Sequence, residues 1–523
     1  MFNGQIVKLS NCQIVKLFNC YIAVAALLLM AGCRDDADHL LSYGQSDELA
    51  FDEARNSFAE KFNVFWEAMN CNYSLWDYEA SFGLDWDKVY DDFMPRFQAL
   101  DERKDSVTDE EFKALLTELV SPLHDGHLAI QMQNHHTGNY IMLQPNQIRN
   151  EKQRPDYAQV KGFVPSLAGY LQGDNALLDY DYFNTSLAET YFRVDTVSVL
   201  NQIAQLEAVA QPSEMQQFLL KELQSFMADY RAVVTSPNAV ADFNRLATRY
   251  EAYQIPGLTT YDEAAVNYAL TVKYALFPGN IVYFYLSGFY LSAWIDDGVF
   301  ANCFPHPSEC INRLQQGVLT VWMKWFKTVQ QLHKEGKLGG VIVDVRSNGG
   351  GMVNDFQYVM GSLIPNEIFQ IGEARFKNGV GRYDYTVKMP QVMMPLNVDR
   401  EAITEPVVVL TNCRSVSLAE NTAVTAKLMS NGTVIGMQTW GGLCFLNPDT
   451  KSYTLTYASC IGEKNETPVY CYIPVMALFI EGMGIREGVG IAPDIEVPLD
   501  PELLKQGCDS QLERALQYIR SGN

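Results

Sequence analysis

Apolar residues recur at helical spacing through the first half of the chain. From residue 51 they stand three or four positions apart, at Phe51, Ala54, Phe58, Phe62, Phe65 and Met69. This period predicts an amphipathic helix. The stretch "TDEE" predicts the start of a second helix, because Thr108 can cap it and Glu111 can reach back to the cap. Further helices are predicted across residues 196–250, so we expect the first half to be mainly helical.

The pattern changes in the second half to short apolar runs that alternate with helical segments. Three such runs are "VIVDV" at 341–345, "PVVVL" at 406–410 and "TVIG" at 433–436. Continuous apolar strands joined by helices are typical of a parallel sheet covered on both faces. Ligands bind beyond the carboxyl ends of such strands. Because "RSNGGG" and "NCRSVS" follow two of the runs, we expect the chemistry of the protein at this edge of the sheet.

These patterns divide the chain into four predicted parts. Residues 1–33 are a signal segment, and residues 34–135 are a helical region that ends in the turn "LHDGH". Residues 136–275 are expected to form a helical insert, or cap, beside the functional cleft. Residues 276–523 are expected to form an α/β core.

The N-terminal segment has the features of an export signal. "QIVKLSNC" at 5–12 is repeated as "QIVKLFNC" at 13–20, and each copy carries a lysine. The apolar run "YIAVAALLLMAGC" that follows is too short to span a bilayer. It resembles a bacterial lipoprotein signal, in which Cys33 becomes the lipidated first residue; a buried N-terminal helix is the alternative. The resemblance implies a lipid anchor in the outer membrane of a bacterial cell envelope, on the periplasmic or surface side.

Charge and cysteine content exclude some classes of partner. The formal net charge is −23 and no long Lys/Arg run occurs, so nucleic acid is not an expected partner. Beyond Cys33 eight cysteines remain, of which Cys303/Cys310 and Cys460/Cys471 are the closest pairs. An even number allows disulfides in an exported chain, although free buried thiols fit equally well. No Cys-x-x-Cys or His-x-x-x-His spacing occurs, so no metal site is predicted.

Three short stretches carry side chains suited to catalysis. In "NCRSVSLAE", Ser415 and Ser417 stand where the chain passes from a strand to a helix. Ser417 can cap that helix, or it can act as a nucleophile if a base activates it. "LHDGH" offers His124 and His127 as the base, with a surface turn as the alternative. "GIREGVGIAPDIEV" places Glu487 before a glycine-rich turn, where it can orient a histidine or lie in solvent.

A fourth stretch, "DVRSNGGG", offers backbone amides instead of side chains. Successive glycines let the backbone approach a ligand closely. Their amides, at the start of a helix, can face a developing negative charge; a tight turn is the alternative. The G-x-x-x-x-G-K-[ST] phosphate loop is absent, so nucleotide binding is not predicted.

Taken together and in this order, the four stretches resemble the C-terminal-processing and tricorn-type serine peptidases, a family that also contains retinoid-binding-protein-like domains. The resemblance runs from about residue 112 to 500. It implies a crotonase-like α/β core of ββα units, with Ser417 as nucleophile, His127 as base and Glu487 as the acid that orients it. One branch of the family uses a lysine after the next strand, where this chain has "TWGG". The resemblance is therefore to the branch with a Ser-His-Glu triad.

The resemblance also implies supporting roles for backbone amides and for residues of the cleft. The amides of Leu418 and of Gly349 or Gly350 would bind the oxyanion. Three further residues are expected at the substrate cleft, namely Gly441, Gly442 and Arg346. The chain departs from the family because it lacks a recognisable PDZ module before the core. It also carries Cys413 and Arg414 just before the serines, where other residues are usual.

The sequence thus predicts a cell-envelope serine peptidase that needs no cofactor. It would cleave peptides or unfolded protein tails through an acyl-enzyme, and a cap formed by residues 136–275 would restrict it to flexible chains. Two alternatives remain. One is a catalytically silent lipoprotein that binds a peptide or lipid in the same cleft, and the other is an esterase with the same triad.

Overall fold

The computed structural model of the protein describes residues 51–185, 194–234, 239–253, 255, 258, 268–295, 309–365, 367–379, 381–396, 402–446 and 460–522. The α-helices are α1 (Phe58–Asn72), α2 (Trp76–Ser81), α3 (Trp86–Asp101), α4 (Asp109–Val120), α5 (Pro145–Gln153), α6 (Asp156–Gln159), α7 (Thr196–Glu207), α8 (Glu214–Val234), α9 (Ala239–Arg249), α10 (Leu291–Ile295), α11 (Glu309–Lys334), α12 (Val353–Val359), α13 (Leu418–Leu428), α14 (Pro501–Lys505) and α15 (Ser510–Ser521).

The strands are β1 (Ala129–Gln133), β2 (Tyr140–Leu143), β3 (Asp179–Asn184), β4 (Thr271–Phe277), β5 (Ile281–Leu286), β6 (Gly340–Asp344), β7 (Phe369–Phe376), β8 (Met389–Met393), β9 (Val407–Thr411), β10 (Gly432–Gly436), β11 (Cys460–Ile461), β12 (Val469–Tyr472), β13 (Met476–Ile480) and β14 (Ile495–Glu496). They form three sheets of seven, four and three strands. The first lies at the centre of the α/β core.

The helices α1 to α4 form the N-terminal region, as the helical period predicts. Phe58, Phe62 and Phe65, from the predicted apolar stripe, are buried. Thr108 caps α4, because its hydroxyl oxygen accepts a hydrogen bond from the N–H of Glu111 at 3.2 Å. The aromatic side chains of α1 and α3 stack on each other in this core, with the rings of Phe62 and Phe97 4.7 Å apart. Burial of this stripe holds the region together.

The central sheet has the strand order β14-β10-β9-β6-β5-β4-β3. The five strands from β14 to β5 run parallel, whereas β4 and β3 are antiparallel to their neighbours. Every residue of β6 and β9 is buried. Val341 and Val343 face the core cluster that contains residues of α11, whereas Ile342 faces the one that contains residues of α15. The predicted parallel sheet, covered on both faces, is therefore confirmed.

The second sheet joins distant parts of the chain. Strand β1, which begins two residues after His127, pairs with β2 on one side and with β12 on the other. Because β12 belongs to the C-terminal half, this pairing anchors the "LHDGH" turn against the α/β core. The third sheet, β13-β7-β8, is antiparallel.

The segment 136–275 is not purely helical, which corrects the prediction for it. Helices α7, α8 and α9 form within the stretch predicted to be helical, and they share a small core of their own. Strands β3 and β4 of the same segment, however, extend the central sheet, and β2 joins the second sheet. Pairing with β5 satisfies the backbone groups that β4 would otherwise leave open at the edge of the sheet. The domain boundaries themselves stay predictions.

The described cysteines are free thiols, and the predicted lipid anchor lies outside the described residues. Cys460 and Cys471, the second of the closest pairs, are not bonded to each other. Residues 1–33 with Cys33, and the side chains of Cys303 and Cys310, lie outside the described residues. Among the helices that are described, none is both long and apolar enough to cross a membrane.

Candidate active site

Ser417 occupies a strained turn between β9 and α13. Its backbone has φ 59° and ψ −116°, a region that residues other than glycine rarely adopt and that costs on the order of 1–3 kcal/mol. Two hydrogen bonds hold the turn. The N–H of Val416 donates to the carbonyl oxygen of Asn348 at 2.9 Å, and the N–H of Ser417 donates to Glu420 Oε2 at 3.2 Å. The serine is half-buried at the N-terminus of α13, where the helix leaves the amide of Leu418 unsatisfied.

The glycine loop after β6 packs directly against this serine. A Cβ atom on Gly350, where φ is +88°, would lie 2.6 Å from Ser417 Cβ. The N–H of Gly350 donates to Asn348 Oδ1 at 2.8 Å, so this amide is already occupied. The prediction of Gly350 as an alternative oxyanion donor is therefore wrong for this conformation. Gly349 is exposed beside it and, with Leu418, remains a candidate donor.

Glu420 links the serine turn to the loop that follows β10. Its side chain is fully buried and accepts four hydrogen bonds. Besides the N–H of Ser417, the donors are the Thr439 hydroxyl at 2.5 Å and the amides of Gly441 and Gly442 at 2.7 and 2.6 Å. Burial raises the pKa of Glu420 to about 7, whereas the donors oppose that rise. Gly441 and Gly442 were predicted at the substrate cleft, but Glu420 holds their amides, so these groups are not available to a substrate.

The same loop packs against the "LHDGH" turn. A Cβ on Gly126 would lie 1.9 Å from the carbonyl oxygen of Gly441, so the two backbones touch. Trp440 Nε1 donates to the carbonyl oxygen of Gly126 at 2.9 Å, and the N–H of Gly126 donates to Glu487 Oε2 at 2.9 Å. A continuous set of contacts therefore runs from the turn at Ser417 to the histidine turn.

His127 is half-buried and lies in a cluster with two buried carboxyl groups, those of Asp125 and Glu487. One side-chain nitrogen or oxygen of each residue lies within 4.8 Å of the others. Asp125 Oδ1 accepts the N–H groups of His127 at 2.7 Å and of Leu128 at 2.9 Å, which fixes the turn. Glu487 also accepts the N–H of Cys444. His127 Nδ1 and Asp125 Oδ2 are both buried without a hydrogen-bond partner.

Burial sets the protonation of this cluster. It lowers the pKa of His127 to about 4, which keeps the imidazole neutral. It raises the pKa of Asp125 to about 7, and it raises that of Glu487 well above its usual value with the charge of Asp125 as the next cause. The spacing of the three side chains could also accommodate a metal ion, and the expectation of a metal-free site stays a prediction.

The structure brings the predicted His127 and Glu487 together but does not join His127 to the serine. No hydrogen bond connects Ser417 and His127 within the described part of the chain. Asp125 was not singled out from the sequence, although its place between the two histidines of "LHDGH" was the available signal. His124 is in a different environment, because its Nδ1 lies 3.0 Å from Glu79 Oε2 and its ring stacks on Phe82.

Arg346 is a buried structural residue, so its prediction as part of the substrate cleft is wrong. Its side chain has no exposed surface. The guanidinium binds both carboxylate oxygens of Asp344, and it also donates to Asp509 Oδ1 at 2.9 Å and to Gln511 Oε1 at 3.0 Å. The neighbouring carboxylates hold the pKa of Arg346 well above its usual range, against the effect of burial.

A cavity of about 430 Å³ opens beside the serine turn. Its wall includes Gly349 and Val416, the chain neighbours of Gly350 and Ser417. Other parts of the wall come from residues 144–164, within the predicted insert, and from the aromatic side chains of Tyr157 and Trp440. The strained serine thus stands next to a space large enough for substrate side chains.

Comparison with known proteins shows what the core is similar to. Residues 311–497 match the family model "Peptidase family S41". Tricorn protease of Thermoplasma volcanium is 28% identical over 191 residues, 36% of this chain and 15% of that protein. Tricorn protease homolog 1 of Streptomyces coelicolor is 27% identical over 193 residues, 37% of this chain and 15% of that protein. The chain thus spans about 15% of the length of these two curated relatives.

A solved structure from Parabacteroides merdae aligns with 88% of this chain and 96% of its own, at 18% identity and a TM-score of 0.44. The resemblance stated from the four sequence motifs is confirmed by the S41 match and the tricorn relatives. The matched residues include Gly349, Ser417 and Glu487, whereas His127 lies outside them.

Proposed function

We propose that this chain is a serine peptidase of the cell envelope that cleaves peptides or unfolded protein tails, with Ser417 as the nucleophile. The observation that carries the proposal is the backbone of Ser417. A serine that only caps a helix has extended dihedral angles, whereas Ser417 has φ 59°. Such a turn between a strand and a helix exposes a nucleophile at the edge of a sheet. Strain of this kind persists at functional sites because the surrounding contacts enforce it.

In the proposed reaction His127 takes the proton of the Ser417 hydroxyl as the serine oxygen attacks the scissile carbonyl carbon. The amides of Leu418 and Gly349 would stabilise the oxyanion, and one such donor contributes about 3–4 kcal/mol. When the intermediate collapses, His127 returns the proton to the leaving amine. Water then hydrolyses the acyl-enzyme by the same steps. A neutral imidazole is required at the start, and the lowered pKa of His127 meets this requirement.

Glu487 is proposed to stabilise the imidazolium that forms during the reaction. Its carboxyl group lies in the His127 cluster and is held by the amides of Gly126 and Cys444. The mechanism needs a hydrogen bond between His127 and Ser417 that forms when substrate binds, because catalytic hydrogen bonds are often long in the free enzyme.

Cleavage of an unstructured fluorogenic peptide library tests the proposal. Wild-type protein should turn over, whereas Ser417→Ala and His127→Ala should each lose activity with little change in melting temperature. The double variant should be no slower than either single one, because the members act as a unit. Glu487→Gln should be slowed less. His124→Ala, whose ring pairs with Glu79, is the matched histidine control and should stay active.

The two other functions make different predictions in the same assay. A silent binding protein would retain peptides without cleaving any, and an esterase would hydrolyse activated esters in a Ser417-dependent way but no peptide bond. Wild-type activity that persists in Ser417→Ala would contradict all three readings of this site.

We also propose that lipid on Cys33 anchors the protein to the envelope. The support is the sequence "LLLMAGC" and the charged stretch that follows it. Cys33→Ser should release the protein from the membrane fraction. If the variant stays there, with its signal cleaved at the same position, the anchor is not Cys33.

A further inference from the structure

Arg414 stands three residues before Ser417 and lines the cavity beside it. The side chain is half-buried, and its guanidinium carbon lies 4.1 Å from the centre of the Tyr157 ring. The Nε atom is buried without a hydrogen-bond partner. No described carboxylate forms an ion pair with this arginine. The ring of Tyr157 therefore orients the cation, which no carboxylate among the described residues neutralises.

Two other arginines, Arg154 and Arg346, do have acidic partners. Arg154 donates to Asp156 at 3.2 Å and to the carbonyl oxygens of Gln438 and Thr439. Arg346 is neutralised by Asp344 and Asp509. The chain has 62 acidic residues against 39 Lys and Arg, so carboxylates are abundant. Taking a cation out of water without a counter-ion is unfavourable, and a carboxylate bound in this cavity would offset that cost for Arg414.

The cavity is placed so that this ligand would be part of the substrate. Gly349, the proposed oxyanion donor, and Val416, next to the nucleophile, form the wall that Arg414 shares. Gln144, Gln147 and Ser287 add uncharged polar groups to it. A peptide whose scissile carbonyl lies at Ser417 would therefore direct a neighbouring residue toward Arg414.

We propose that Arg414 selects substrates by binding a carboxylate close to the scissile bond. The guanidinium fork matches a carboxylate in a two-point hydrogen-bonded pair. The carboxylate can belong to an aspartate or glutamate side chain, or to the C-terminus of the peptide. This proposal rests on the proposed peptidase function of the same site and names the class of substrate that the site takes.

The test compares matched peptides on wild type and Arg414→Gln. Each pair differs only by Glu against Gln at one position near the cleaved bond, or by a free against an amidated C-terminus. Wild type should prefer the charged member about 10- to 100-fold in kcat/KM, as expected for a hydrogen bond to a charged group. Arg414→Gln should reduce this preference to less than about threefold, chiefly through a lower kcat/KM on the charged peptide. The pair that shows the effect assigns the carboxylate to a side chain or to the chain end.

Two control variants separate charge recognition from general damage. Arg96→Gln removes an exposed arginine of a surface pair with Glu118 and should leave the preference unchanged. Arg414→Glu should reverse the preference toward peptides with Lys at the same position. A wild-type enzyme without preference for the carboxylate, or a preference that survives Arg414→Gln, would overturn the proposal.

A binding measurement keeps this inference distinct from the peptidase function. In the Ser417→Ala background, fluorescence anisotropy should give at least tenfold tighter binding of the charged peptide, and Arg414→Gln should abolish that difference. If wild type cleaves no peptide but this difference is present, the peptidase function fails and the role of Arg414 stands. Equal binding of both peptides overturns the role of Arg414 in either case.

Discussion

A Cβ atom placed on Gly350 would lie 2.6 Å from the Cβ of Ser417 and 3.1 Å from its hydroxyl oxygen. The backbone of Gly350 also has φ +88°, which favours glycine. The loop after β6 and the turn after β9 thus meet with no room for a side chain between them. This contact positions the candidate nucleophile, because neither segment can shift without moving the other.

Gly350→Ala should therefore inactivate the protein. The added methyl must displace Ser417 or the glycine loop, and overpacking of this kind costs about 1–3 kcal/mol in addition to the backbone strain. We expect peptide cleavage to fall at least 100-fold and the melting temperature to decrease.

Gly336→Ala is the control for backbone strain alone. Gly336 has φ +63°, and a Cβ there would meet nothing within 4 Å. Its substitution should cost about 1 kcal/mol without loss of activity. If Gly350→Ala behaves like Gly336→Ala, the contact with Ser417 does not position the nucleophile.

Glu420→Gln should lower activity through the position of the serine. The glutamate accepts four hydrogen bonds through its two oxygens. Glutamine has an NH2 group in place of one oxygen, and this group cannot accept the hydrogen bonds that the oxygen accepted. An unsatisfied buried group costs about 1–3 kcal/mol. We expect a lower kcat and a lower melting temperature, measured by steady-state kinetics and calorimetry.

The matched control for this substitution is Glu118→Gln, at an exposed pair with Arg96. It should change neither the kinetics nor the melting temperature, since exposed pairs contribute little. Unchanged kcat in Glu420→Gln would show that the turn at Ser417 is held without this carboxylate.

The central strands and the serine turn are the parts that sequence patterns predict well. The runs at 341–345 and 406–410 became β6 and β9 because continuous apolar strands fit only the buried middle of a covered sheet. Two serines and a helix start directly after β9 indicated the turn. The motif order then brought His127 and Glu487 into one prediction, although they lie 360 positions apart.

Features that depend on distant partners could not be predicted in this way. Arg346 follows a strand like a cleft residue, but Asp509, 163 positions later, neutralises it inside the core. Strand β4 lies where the sequence predicts a helical insert. Its partner β3 is about 90 residues away in the chain, so the local pattern does not reveal the pairing. Hydrophobic period contains no information about such pairings, since it reports only which face of an element is buried.

Arg346→Gln tests whether Arg346 stabilises the core instead of contacting substrate in the cleft. The substitution would leave the carboxylates of Asp344 and Asp509 buried without their cation, and breaking a buried pair costs about 3–5 kcal/mol. We expect a large decrease in melting temperature and, at temperatures where the variant is folded, a nearly normal KM. A normal melting temperature with a raised KM would restore Arg346 to the substrate cleft.

The pH dependence of catalysis should depend on Asp125 as well as on Glu487. Burial keeps His127 neutral down to a pH of about 4, so its own ionisation does not limit the rate near neutrality. Glu487 must be ionised to stabilise the imidazolium, and its pKa is raised first by burial and then by the charge of Asp125. We therefore expect kcat/KM to rise with pH as this carboxyl group loses its proton, instead of following an ordinary histidine near 6.5.

Asp125→Asn tests the direction in which the charge of Asp125 shifts the pH profile. It removes the like charge beside Glu487, so the pKa of Glu487 falls and the acidic limb of the kcat/KM profile should move to lower pH. The asparagine oxygen can still accept the amides of His127 and Leu128, which preserves the turn. Asp92→Asn, at an exposed pair with Lys88, should leave the profile unchanged. A limb that stays in place, or moves to higher pH, would show that Asp125 does not act on the charge of Glu487 and serves only to fix the turn.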